Sequence, residues 1–247
     1  MGYDPDLTAQ ACYNDAGIIM DRNLGATLAA DGTGDIKQMY GLLYQWGRKD
    51  PFLGSSSISE DYDAASTITW PSRVISDSET GTIAYATANP TTFIAYDDNI
   101  NDNNYDWYYT GNKSTDNTRW NRSKTVYDPC PAGWRVPDGG KDGVWMKAFR
   151  SDRWILDSPW DNTNRGVDFM KEFGTANQCW YPATSYNFKY GSPYGVGYRG
   201  YYWSCTPDYD FYACILQFFV DEYGKVNVDL WASNFRTFGQ SVRCQAE

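Results

Sequence analysis

The stretch that most constrains the fold is the last one, Tyr201 to Cys244. Two strand-like runs, Tyr201 to Ser204 and Ala213 to Val220, flank the turn-forming residues Thr206 to Asp210, and a third run, Ser241 to Cys244, closes the chain. Strand, turn and strand at this spacing predict an antiparallel hairpin with Ile215, Phe218 and Val220 in a core. Between the second and third runs lies a segment rich in Asp, Asn, Tyr, Phe and Trp that has no helical period. Its large side chains are expected on loops or exposed strand faces, where they form a contact surface. Tyr and Trp are also ordinary core residues of aromatic-rich sheets, but Tyr209, Asp210, Phe211 and Tyr212 are four bulky or charged neighbours in one turn. They cannot all face inward.

At 247 residues the chain is long enough for one elaborated domain with a substantial core. Its 21 Lys and Arg against 31 Asp and Glu give a net charge of −10, which repels phosphate backbones and anionic membranes and argues against a nucleic-acid partner. No apolar run reaches membrane-spanning length, so no membrane insertion is expected. Met1-Gly2 reads as an added start, leaving room for an export signal or further domains upstream. Aromatic residues make up 17% of the chain, enough to supply rigid contact surface as well as core.

Histidine is absent, which removes the commonest general base and the commonest transition-metal ligand. The six cysteines, Cys12, Cys130, Cys179, Cys205, Cys214 and Cys244, show no CxxC spacing. Disulfides in an oxidising compartment therefore fit better than a metal cluster, with fifteen pairings open.

In chain order, Ala16 to Asp21 predicts a strand central to a small sheet, followed by a glycine-containing loop to Gly34. Met39 to Arg48 places Leu42, Leu43 and Trp46 at helical spacing and predicts a helix stopped at Asp50-Pro51. Residues 52–125 form a loop-rich insertion, and 126–247 a C-terminal half. Within the insertion, Tyr96 to Asp106 concentrates oxygen ligands that suit calcium but lacks the order of an EF-hand loop. A solvated loop is the first reading, a structural calcium the second, and no other cofactor is expected. Farther on, Asp142 is a candidate cap for a helix with Trp145 and Phe149 on one face. Val167 to Phe173 predicts a second helix stopped by Gly174, and the four glycines of Gly191 to Gly200 predict a mobile loop.

Several signatures occur in order: MDRNLGA at Met20 to Ala26, YGLLYQWGRKDPF at Tyr40 to Phe52, DPCPAGWRVP at Asp128 to Pro137, YYWSCTP at Tyr201 to Pro207 and GQSVRC at Gly239 to Cys244. Together they resemble the Fibrobacter succinogenes major paralogous domain family of bacterial surface proteins. The resemblance implies an α+β, C-type lectin-like fold: a small twisted antiparallel sheet whose N- and C-terminal strands pair, two flanking helices and long loop-rich insertions. It also implies a Cys130 to Cys244 bridge, because CPxGW and SVRC lie side by side in that fold. Cys205 with Cys214, at the ends of the hairpin strands, is a second candidate pair.

The pattern YYWS…T followed by R-x-x-G-x-SVRC is similar to the variable proteins of diversity-generating retroelements. That similarity implies display positions at Tyr209, Asp210, Phe211, Tyr212, Phe219, Asp221, Asn234, Phe235 and Phe238, and scaffold roles for Gly239, Ser241, Val242 and Arg243. The tripeptides EPN, QPD and WND of calcium-dependent sugar binding are absent.

The expectation is a non-enzymatic adhesin or receptor-binding module on a cell surface, pilus tip or phage particle, recognising a protein receptor or surface glycan of a target cell. Two alternatives stand beside it. One is an enzyme: a cysteine oxidase of the formylglycine-generating type through Cys205 and Cys214, or a hydrolase through carboxylates such as Asp208, Asp210, Asp221 and Glu222. The other is a structural surface subunit.

Overall fold

The structure, a computed structural model, describes residues 9–11, 16–54, 57–62, 64, 72–96, 105–111, 115–149, 154–156, 160–169, 179–187 and 193–247. It is an α+β fold in which strand far outweighs helix. Its centre is the expected hairpin, Arg199–Pro207 against Tyr212–Val220. Val226–Phe235 continues the meander on one side. On the other, Gly239–Ser241 lies parallel to the first hairpin strand, followed by Leu42–Gln45 and Phe52–Leu53, while Trp154–Leu156 pairs with Val226–Phe235 at the opposite edge and completes a seven-stranded sheet.

Strand alternation divides the interior in two. Tyr202, Leu216 and Phe218 project to one face, where Val228, Leu230 and the helix residues Val144, Trp145 and Ala148 meet them. Tyr201, Trp203, Cys205, Ala213 and Ile215 project to the other, against Tyr44, Trp46, Trp120, Val136 and Val242. The pairing Gly200 to Phe218 fixes the register locally. A Cβ at Gly200 would sit 2.1 Å from the Phe218 ring, so only glycine lets that ring lie flat across the neighbouring strand.

The indole N–H groups hold the layers together. Trp203 donates to Tyr44 O (2.8 Å) and Trp46 to Ser204 O (2.9 Å), so two large buried side chains meet no unpaired donor. Helix Val144–Phe149 forms where expected. The strand Ile18–Met20 lies within a second, four-stranded sheet and pairs through Ile19 with Gln245 of the C-terminal strand Gln245–Ala246. The two ends of the described chain are thus joined.

One predicted helix is a strand. Leu42–Gln45 pairs on both edges, with Phe52–Leu53 and with Gly239–Ser241. Its helical spacing is a coincidence of a short apolar run. Gly41 and Gly47, at φ of 71° and 75°, bracket it with backbone that a helix does not tolerate. Of the second predicted helix, Val167 and Asp168 belong to the strand Gly166–Asp168, between Trp160–Asp161 and Trp180–Pro182, Phe169 is helical, and residues 170–174 lie outside the described residues. The described part of the glycine-rich 191–200 stretch is packed: Val196 is fully buried and exchanges hydrogen bonds of 3.0 Å with Ser59.

The insertion also has more structure than expected. Ser72–Ile75 and Thr92–Ala95 pair in parallel across the helix Ile83–Ala88, capped by Thr82 Oγ1, which accepts from Tyr85 N–H at 3.0 Å.

Cys130 and Cys244 are bridged, as the resemblance implied. Cys205 and Cys214 are not bridged and both carry buried thiols. Alternation explains this: Cys205 shares the face of Trp203, whereas Cys214 Cβ lies at the backbone of Gly139, on the face of Ser204. The bridge closes a loop of 114 residues, and on the chain-entropy account removing it by Cys130→Ser/Cys244→Ser costs about 4 to 5 kcal/mol. Non-reducing peptide mapping is expected to recover the 130 to 244 pair and to find Cys205 and Cys214 alkylatable after unfolding. Urea titration measures the loss.

Candidate ligand-binding face

One end of the hairpin carries a run of rings. Tyr212 and Phe235 face each other across paired strands, with centroids 4.6 Å apart. Tyr209 tilts onto Tyr212 at 5.1 Å. From the insertion, Tyr105 stacks on Phe235 at 4.2 Å and 23°, and Tyr96 meets Tyr105 edge-on at 4.7 Å. Such contacts contribute about 0.5 to 1.5 kcal/mol each beyond area burial and hold the rings in place. Tyr209 is 66% exposed, while Tyr105, Tyr212, Asn234 and Phe235 are half-buried. Asp210, also exposed, turns the chain with a φ of 46°, a left-handed geometry that Asp accepts more readily than bulky residues.

Not all nine expected display residues take part. Phe211 and Phe238 are buried, at 6% and 4% exposure. Phe211 packs edge-on to Tyr105 and Phe238 edge-on to Phe235, so they support the exposed rings from beneath. Phe219 and Asp221 stand elsewhere. Phe219 lies toward the far end of the nine-residue strand Tyr212–Val220, roughly 20 Å from Tyr212 at about 3.3 Å per residue. Asp221 caps the next turn, its Oδ1 accepting from the N–H of Tyr223 (3.0 Å) and Lys225 (2.9 Å). The structure brings together Tyr209 to Tyr212 and Asn234 to Phe238, and leaves these two apart.

Beneath the rings lies a buried guanidinium. Arg236 donates from Nε to Tyr212 O (3.1 Å), from Nη1 to Asp116 O (3.2 Å) and from Nη2 to Asn117 Oδ1 (2.6 Å), and stacks over Trp46 at 4.3 Å. Its nearest carboxylate is Asp106, at 3.8 Å. Burial pulls the guanidinium down to about 10, against the pull of Asp106, so it stays charged at neutral pH. Arg119, also buried, pairs with Asp106 and lies over Trp107 at 4.8 Å. Asp106 is thus engaged by arginine, and residues 97–104 of the candidate calcium loop fall outside the described residues. Among the described residues no cluster of three or more Cys, Asp or Glu side chains is arranged to hold a metal.

Arg236 belongs to the R-x-x-G-x-SVRC pattern, yet nothing in the sequence assigned it this task. Tyr105 was legible only as an aromatic in an Asp- and Asn-rich stretch. Burial, and next the neighbouring Asp138, push the Cys205 thiol up to about 12, leaving it protonated at neutral pH. Comparison of the chain with known protein families, curated proteins and solved structures finds no match.

Replacing Arg236 with Met takes a donor from Asp116 O and Asn117 Oδ1 and leaves Tyr212 O with the N–H of Asp208 alone, and removing one member of a buried charge network costs about 3 kcal/mol or more. Arg236→Lys is expected to recover little, since one ammonium cannot match the planar fork. Urea unfolding measures both. In the native protein at pH 8, iodoacetamide is expected to leave Cys205 unlabelled, and labelling should appear only on unfolding.

Proposed function

We propose that this chain is a non-enzymatic ligand-binding module, an adhesin or receptor-binding domain on a C-type lectin-like scaffold of the kind used by variable proteins of diversity-generating retroelements. The observation that carries the reading is the patch of Tyr209, Tyr212, Phe235 and Tyr105, held at the ends of paired strands and open to solvent on one side. Interfaces draw their energy from such rigid aromatic groups placed beside polar ones, and Asp210 and Asn234 supply the polar part. The partner is a protein receptor or a surface glycan of a target cell. The Cys130 to Cys244 bridge supports an extracellular setting. The protonated thiol of Cys205 suits nucleophilic chemistry poorly, which favours binding over catalysis.

Tyr209→Ala/Phe235→Ala is expected to abolish binding to target cells, since truncating interface aromatics costs about 2 kcal/mol or more each. The same change should cost about 2 kcal/mol of stability, because neither side chain is fully buried but Phe235 gives up its ring contacts with Tyr105 and Tyr212. Trp203→Ala, in the core, should instead lose about 3 to 5 kcal/mol of stability. Paired cell-binding and thermal-unfolding measurements separate the two classes. If the double variant unfolds as readily as Trp203→Ala, the rings are packing and the reading fails.

A further inference from the structure

Beside the turn that carries Tyr209 lies a cleft of about 340 Å³, at the small end of ligand-pocket sizes. One wall is Thr206 and Pro207, at the start of the turn that carries Tyr209. The other is Asn117, Asn121 and Arg122 of the insertion, with Trp120 and Cys205 also lining the cleft. Arg236 ties cleft to patch, since it hydrogen-bonds both Asn117 and Tyr212.

The hydrogen-bond network sets which groups the cleft presents. Asn117 Oδ1 accepts from Arg236 (2.6 Å), which fixes the amide orientation and leaves both Nδ2 hydrogens to donate. Thr206 Oγ1 accepts from Gly139 N–H (2.9 Å), so its own proton is available to another acceptor. Arg122 approaches Asp138 through Nε at 3.2 Å while its side chain stays 59% exposed, leaving its two terminal nitrogens toward solvent. Asp138 is already held by both terminal nitrogens of Arg135, at 2.9 and 2.8 Å. Two guanidiniums thus share one carboxylate, a local excess of one positive charge in a chain of net charge −10. The neighbouring Asp116 is turned to Thr118 (2.6 Å) and Arg119 (3.7 Å). A donor-rich wall with one surplus positive charge suits a planar monoanion, which a guanidinium can grip with two parallel bonds.

We propose that this cleft is a carboxylate-binding subsite of the same face: a ligand lying across Tyr209, Tyr212 and Phe235 places a carboxylate against Arg122, Thr206 and Asn117. The proposal rests on the binding-face reading for its role. Two sources carry such a group, an acidic side chain of a protein receptor and an acidic sugar of a glycan.

The test uses small probes on the whole chain, followed by the ¹⁵N NMR signals of Asn117, Asn121, Arg122 and Thr206. Phenylacetate is expected to shift these signals saturably, and phenylacetamide, which lacks the charge, to bind about tenfold more weakly or worse, the loss of one charge-assisted hydrogen bond. Arg122→Gln should weaken phenylacetate binding by a similar factor and Arg122→Lys should restore part of it. Because Arg122 is exposed, both variants should keep the wild-type melting transition. N-acetylneuraminate and N-acetyl-Glu-Phe-amide are then titrated separately. Whichever binds more tightly, with Arg122-dependent affinity, names the source. Equal shifts with phenylacetate and phenylacetamide, unchanged affinity in Arg122→Gln, or no binding by any acid overturns the proposal. Cell binding that is lost in Tyr209→Ala/Phe235→Ala but unchanged in Arg122→Gln would also overturn it while leaving the binding face standing. Cell binding that survives the double variant removes the face, whatever the probes do.

Discussion

Arg236 is the group on which the exposed end of the sheet depends. It sits between the last long strand and the insertion, with its donors on Tyr212, Asp116 and Asn117 and its face on Trp46. A charge is costly to bury unless dipoles and carboxylates surround it. Here three oxygens, one indole and the more distant Asp106 do so, drawn from four segments of the chain. The same guanidinium therefore fixes the hairpin end and the insertion relative to each other.

This arrangement gives the fold a division of labour. The two cores on either side of the hairpin, together with the Cys130 to Cys244 bridge, carry stability. Of the rings near Arg236, Tyr209 is exposed and Tyr105, Tyr212 and Phe235 are half-buried and held by one another. A surface of this kind can change its exposed side chains at small cost to folding, because the residues beneath them, Phe211, Phe238 and Arg236, stay fixed. Preorganised aromatic side chains also lose little entropy when a partner covers them.

Much of this was legible in the sequence where local pattern and tertiary pairing agree. The hairpin, the buried Ile215, Phe218 and Val220, the helix at Val144 and the pairing of the early and late strands follow from alternation, a turn and the ordered motifs. The failures lie where one short pattern fits two structures. Leu42 to Gln45 has helical spacing, but Gly41 and Gly47 in left-handed backbone and two waiting strand partners decide for strand. Cys205 and Cys214 are close along the hairpin, but opposite sides of a sheet cannot be bridged. The resemblance puts Phe211 and Phe238 on display, whereas Tyr105, from a distant part of the chain, packs on Phe211 and Phe235 packs on Phe238. No local pattern could announce those contacts, nor the four-part surroundings of Arg236.

The central claim is that the Tyr209 end of the sheet, and no other exposed aromatic surface, meets the partner. Tyr223 offers the control: it is 85% exposed, more than Tyr209, and stands on the turn beyond the far end of the hairpin. Photo-crosslinking to intact target cells, with benzoylphenylalanine placed at position 209 in one protein and 223 in another, tests this directly. The account predicts a discrete adduct from position 209, competed by unlabelled wild-type protein, and none from position 223. Adducts from 223 alone, or equal and uncompeted labelling from both positions, would contradict it.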